Sequence, residues 1–245
     1  MSGEPAATAV QADAPAVTSA PEVMRRAVAE LIGTGFLVAA VIGSGIAATR
    51  LSPNDVGLEL LENSLITGAA LVALILALQP VSAAFNPIVT LAEVGFGLVR
   101  GKDAVLLIVA QIAGGILGAV VANLMFSLDA VAISTHHRAG GHLWLGEVVA
   151  TFGLLLIVVG SVRSARTETI AFAVGGYITA AYWFTSSTSF ANPAVTIARM
   201  FSNTFAGIYP GSVPGFVLAQ ALGGGLAFLA VRFLYPHPTL PEASS

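Results

Sequence analysis

No cysteine occurs among the 245 residues. That excludes a disulfide, a thiolate metal ligand and a cysteine nucleophile, while leaving the compartment open. Charge is almost as scarce: 9% of residues are charged against 56% hydrophobic, and the mean hydropathy is +0.87. Too little polar surface exists to cover a globule in water, so the bilayer is the expected solvent. Residues 1–22 contain no Lys or Arg and no apolar run; they are not a signal peptide and read as a disordered tail, with a second tail at 237–245. A net charge of −3 gives no basis for a nucleic-acid partner. With no Cys, and no His inside an apolar run, a nucleophile and its base cannot be assembled in the membrane, so neither an enzyme nor a cofactor is expected. His136, His137 and His142 cluster in one polar segment without carboxylate support, which suits loop residues better than metal ligands.

What is abundant is apolar sequence. Six runs, near 25–49, 58–81, 104–126, 143–163, 168–187 and 213–235, approach or exceed the roughly 20 residues that cross a bilayer. With the amino terminus inside, Arg25, Arg26, Arg100, Lys102, Arg163, Arg166 and Arg232 fall on the cytoplasmic side, against Arg50, Arg138 and Arg199 outside. This sidedness fits a multi-pass protein of the plasma (cytoplasmic) membrane with both termini inside.

Two short segments belong to none of these runs. "FNPIVTLAE" (85–93) and "ANPAVTIAR" (191–199) follow runs two and five and are too short to cross. Asn is a favoured helix cap and Pro a favoured first helical residue, so each segment predicts a re-entrant half-helix, at 86–97 and 192–203. Irregular backbone at membrane depth is tolerated only inside protein or beside a water-filled cavity, which implies an internal polar path. The repetition goes further: Glu30 and Glu147 open matching runs, and Gln111 and Gln220 head matching "AQ…GG" stretches. Each half, 23–126 and 142–236 with a loop at 127–141 between them, has three spans, so the second half must be inverted relative to the first. An all-α membrane fold of six transmembrane helices plus two half-helices follows.

On these residues the chain resembles the aquaporin and glycerol-facilitator (major intrinsic protein) family, whose hallmark is paired Asn-Pro-Ala motifs on half-helices meeting in mid-membrane. The resemblance implies a homotetramer with one pore per subunit. It also implies a pore motif of Asn86, Pro87, Ile88, Asn192, Pro193 and Ala194, in which both Asn cap their half-helices and present amide donors to the permeating molecule. Glu30 and Glu147 would accept hydrogen bonds from the re-entrant backbone, and Gln111 and Gln220 would join helices. The positive ends of the half-helices disfavour cations, so the cargo is expected to be uncharged.

One position departs from the pattern. Most members carry Arg directly after the second motif, where this chain has Val195. Arg199 lies one turn on, its backbone about 6 Å nearer the outer surface, and with Glu93 at the equivalent place in the first repeat it reads as a vestibule charge. Spacing puts the outer constriction at Thr67, Ala180, Ser189 and Val195, a small and aromatic-poor set, although Tyr182, Trp183 or Phe184 would intrude in a shifted register. The first motif also lacks the Gly and His usual before Asn86, which leaves the cytoplasmic wall open. The expected function is passive passage of water and glycerol-sized neutral solutes, with arsenite as the metalloid candidate. A water-selective channel and an ion-coupled secondary transporter are the alternatives.

Overall fold

The computed structural model describes residues 19–164 and 166–235. Among them lie eight α-helices: α1 (Ala20–Leu51), α2 (Val56–Leu78), α3 (Pro87–Gly95), α4 (Gly101–Met125), α5 (Gly141–Arg163), α6 (Ile170–Phe184), α7 (Pro193–Ala198) and α8 (Val213–Leu234). Of the two expected tails, residues 1–18 and 236–245 lie outside the described residues. Residues 20–22 are already helical, because Pro21 sits in the first turn of α1, where its missing N–H has no partner to lose.

Helices α1, α2, α4, α5 and α8 are long and apolar enough to cross a membrane. The fifth expected span is shorter than its sequence suggested. α6 has 15 residues, about 23 Å of helix, because the chain turns extended at Thr185 before re-entering the molecule. Large apolar side chains such as Phe36, Val105, Phe172, Leu218 and Phe233 stand exposed on the outer faces, which lipid accepts and water does not.

The packing is repeated between the halves. α1 packs on α2 and α4 as α5 packs on α6 and α8, α2 meets α6 across the centre, and each half-helix contacts both α4 and α8. The α1–α4 and α5–α8 pairs close around equivalent glycines. A Cβ at Gly114 would lie 2.1 Å from the Leu31 carbonyl oxygen, and one at Gly223 would lie 2.4 Å from that of Val148. Only a residue without a side chain permits this approach, the small-residue route to helix packing where no hydrophobic effect draws helices together.

The half-helices are shorter than expected. α3 ends at Gly95, and α7 gives way after Ala198 to a 3-10 turn at Arg199–Phe201. The 126–140 segment has no helix, but it is tied to the residues after α7: Ala132 and Ser134 donate backbone N–H bonds to Phe201 and Met200, and Tyr209 donates one to His136.

Candidate functional site

Each half-helix starts at an Asn in extended conformation followed by Pro. The Asn86 Oδ1 accepts from the Ile88 N–H at 3.0 Å; the Asn192 Oδ1 accepts from Ala194 at 2.9 Å and from Val195 at 3.3 Å. The two caps are joined reciprocally. The Asn86 Nδ2 donates to the Ala191 carbonyl at 2.8 Å, and the Asn192 Nδ2 donates to the Phe85 carbonyl at 2.7 Å. One amide hydrogen of each Asn is therefore committed to the opposite repeat, leaving the second for whatever occupies the adjoining space.

The residues that accept these bonds are strained. Phe85 (φ 47°) and Ala191 (φ 48°) are in the left-handed region, which costs a non-glycine residue roughly 1–2 kcal/mol. The buried carboxylates hold them there. Glu30 accepts from the N–H groups of Ala84 and Phe85 and from Ser82 and Gln111; Glu147 accepts from the N–H groups of Phe190 and Ala191 and from Gln220. Gln111 and Gln220 donate in turn to Thr90 and Thr196 on the half-helices. Both carboxylates have their oxygens occupied by donors, an arrangement that makes a buried acid tolerable.

A cavity of about 710 Å³ of empty space, its mouths included, runs past this junction. Most of its wall is aliphatic, with Leu37, Val41, Leu71, Ile75, Leu154 and Ile178 on it. Asn86, Asn192, Thr67, Tyr182, Ser189 and Arg199 supply the polar remainder, and Val195 faces the same space. No Asp or Glu is among the lining residues. The end of the cavity remote from the 126–140 loop is lined by Ala83, Ala84, Val158 and Ile170.

Two expectations about the other mouth need correcting. Ala180 is exposed on the outside of α6, and the cavity residue is Tyr182, only 3% exposed, whose hydroxyl pairs with that of Thr67 at 3.2 Å. Two residues along a helix rotate the side chain by about 200°, so a small error of register exchanged the outer face for the inner one. This end is thus not aromatic-poor, since Tyr182 and Phe190 both line it. Trp183 and Phe184 remain about half exposed outside.

Arg199 is the second correction. It is 2% exposed and lines the same cavity as Val195 and Asn192, not an outer vestibule. A helical side chain leans toward its own amino terminus, so the long arginine returns toward the level that the backbone spacing seemed to leave behind. Its Nε donates to the Ala206 carbonyl, and its guanidinium carbon lies 3.4 Å from the centroid of the Phe190 ring.

Arg138, expected on the outer side but not as a site residue, reaches the same ring from the loop at 5.2 Å. It is clamped by the carbonyls of Gly207 and Phe205. Burial pushes its pKa down to about 10, which leaves it charged at neutral pH. A lone arginine in a loop of a charge-poor chain was the available signal for it. His136 nearby is held below the usual imidazole value by burial and then by the charges of Arg138 and Arg199.

Glu93, Ile88, Pro87, Pro193 and Ala194 are not among the residues that line the lumen, whereas Ser189 is. Glu93 pairs with Arg26 at 4.0 Å and is not on the cavity wall. Ile88 packs with Leu155 and Ala227 beside the half-helix, and Pro87, Pro193 and Ala194 are buried within the junction. The Ser189 Oγ is buried without a partner while facing the cavity, so the lumen is where its hydrogen bond can be made.

The family model for major intrinsic proteins matches residues 17–171. The chain is 49% identical over 214 residues to the protein named aquaglyceroporin AqpS of Rhizobium meliloti (strain 1021), covering 87% of this chain and 91% of that one. It is 30% identical over 246 residues to aquaporin AqpM of Methanothermobacter thermautotrophicus, covering 86% and 97%. The solved aquaglyceroporin from Plasmodium falciparum shares the fold, with a TM-score of 0.67 at 16% identity over 85% of this chain and 95% of that one.

Proposed function

Because the chain belongs to the major intrinsic protein family, we propose that its central cavity is a passive pore for water and glycerol-sized neutral solutes, including the trihydroxide form of arsenite. The observation that carries this reading is the cavity wall: broadly aliphatic, with Asn86, Asn192, Thr67, Tyr182, Ser189 and Arg199 as its hydrogen-bonding groups and no carboxylate. A polyol matches such a wall, with carbons against the aliphatic side and hydroxyls on the polar groups. A cation finds no acidic ligand there. Glu30 and Glu147, the acids nearest the pore motif, spend their oxygens on backbone and glutamine donors, which weighs against an ion-coupled transporter.

Asn86 and Asn192, with Pro87, Ile88, Pro193 and Ala194 behind them, form the central pore motif in this reading. Thr67, Tyr182, Ser189 and Val195 form the outer constriction. A homotetramer in the plasma membrane, both termini cytoplasmic, belongs to the same proposal; the arginine distribution supports the orientation, and the exposed apolar helix faces support a membrane setting. A water-selective pore is the second reading, favoured by the presence of Tyr182 and Phe190 at the loop-side mouth.

The test is uptake by purified protein in proteoliposomes, with osmotic water flux measured beside glycerol and arsenite entry. Entry of glycerol well above protein-free vesicles supports the wide pore. Water flux with neither solute would leave only the water-selective reading.

A further inference from the structure

The family's usual filter arginine is missing at Val195, yet a guanidinium still stands in the lumen. Arg199 is buried to 2% exposure on the wall shared by Tyr182, Ser189 and Val195. Its Nε is tied back to the Ala206 carbonyl, and its guanidinium carbon lies over the Phe190 ring. Phe190 is itself fixed through its backbone N–H to Glu147 and by an edge contact to Phe216 at 5.1 Å. No ion pair among the described residues involves Arg199. Its terminal nitrogens make no hydrogen bond within those residues. They are not among the fully enclosed orphan atoms, so their hydrogens remain available to the lumen.

We propose that Arg199 is the electrostatic filter of this channel, a charge barrier displaced by one helical turn from Val195 and drawn back against the wall, so that it repels cations without narrowing the bore. The two functions that one arginine beside the motif combines, charge exclusion and steric restriction, are here separated. Val195 leaves width, and Arg199 leaves charge. The anchoring explains how. An arginine held by Nε and stacked on an aromatic ring has its orientation fixed before any solute arrives, and it presents its remaining donors edgewise to the passing molecule. No carboxylate forms an ion pair with it; Glu147 acts on it only from a distance, with Arg138 opposing, so its field acts on the lumen, where a low-dielectric wall lets a fixed charge reach farther than it would in water. Together with the unpartnered Ser189 Oγ, it offers a hydroxylated neutral solute donors and an acceptor at one level of the pore.

The inference rests on the channel reading, and its test separates the two. Native protein, Arg199→Met and Arg199→Lys are reconstituted in vesicles, with water and glycerol flux read by light scattering and proton and sodium entry read by dyes under an imposed potential. Met keeps the bulk over Phe190 and removes the charge. For Arg199→Met the expected result is cation entry raised by about tenfold relative to the water flux of the same vesicles, a barrier loss of about 1.4 kcal/mol. Arg199→Lys is expected to stay cation-tight. An Arg199→Met channel that passes water yet remains as cation-tight as native overturns the proposal, and so does a Lys variant as leaky as Met. Should Arg199→Met not assemble, Phe190→Leu unseats the guanidinium while keeping it, and cation entry is expected to rise there too; no rise counts against the filter. Native vesicles that pass water but no glycerol would count against the cargo reading alone, since the cation comparison is unaffected.

Discussion

Val195 stands one turn from Arg199 on the cavity wall and is 5% exposed, so Val195→Arg would bring a second guanidinium into a space already holding one. Two like charges about 6 Å apart repel by about 3 kcal/mol at an effective dielectric of 20. The variant is expected to be less stable than native, and, where folded, to lose glycerol flux more than water flux because the added side chain crosses the bore. Stopped-flow comparison of the two permeabilities checks this, and an equal loss of both would show a collapsed pore instead. His136 offers a milder test outside the membrane spans. Its folded pKa lies below 6.5, so the folded state favours the neutral ring. The stability linked to it is complete above the unfolded value and is lost as the pH falls. As the pH falls below about 6.5, thermal unfolding in detergent is expected to show a greater loss of stability for native protein than for His136→Gln.

At the scale of elements, the half-helices are held by a few polar bonds in an otherwise apolar molecule, so removing one carboxylate should matter more than any aliphatic trim. Glu147→Leu strands the N–H groups of Phe190 and Ala191 and the amide of Gln220 while Ala191 keeps its unfavourable backbone angle. A cost of about 3 kcal/mol or more is expected from the orphaned donors, visible as a lower melting temperature and as loss of water flux. The close helix pairs give a second, steric prediction. Gly114→Val drives carbon into the Leu31 carbonyl, which cannot retreat without moving α1. Overpacking of this kind costs about 1–3 kcal/mol, and a drop in detergent stability without a change in the pH profile would identify it.

These elements also show where sequence reading works and where it stops. Glu30 with Glu147, Asn86 with Asn192 and Gln111 with Gln220 were legible because each polar residue is rare in its surroundings and occurs twice in one order. The structure gives each pair matching hydrogen bonds. Tyr182 was not singled out over Ala180, since "YITAAYWF" is apolar on every side and contains nothing that marks which face looks inward. Arg199 reaches the lumen rather than a vestibule because backbone rise alone carries no information on the lean of a long side chain. Arg138 and Phe190 meet only through the fold of the 126–140 and 202–209 segments, whose pairing no periodicity announces.

For the molecule as a whole, the absence of acids from the cavity wall and the occupied oxygens of Glu30 and Glu147 bear on mechanism more than on cargo. A secondary transporter needs a group that takes up its coupling ion and a rearrangement that exposes it to each side in turn. Here α2 and α6 pack together across the centre, and the half-helices are bound to one another by the Asn86–Ala191 and Asn192–Phe85 bonds. Rocking one repeat against the other would break both bonds in a low-dielectric interior and strand two amide donors there, a cost of about 2–6 kcal/mol for the pair. The pore is therefore expected to work without such a cycle. Glycerol entry into vesicles should rise linearly with its gradient through concentrations that saturate carriers, and it should be unchanged when an uncoupler collapses the proton gradient. Asn192→Ala, which cuts one of the two bonds and a cap worth about 1 kcal/mol, should lower stability and flux together without introducing saturation. Saturable entry that stops on uncoupling would mean that the two repeats do move apart.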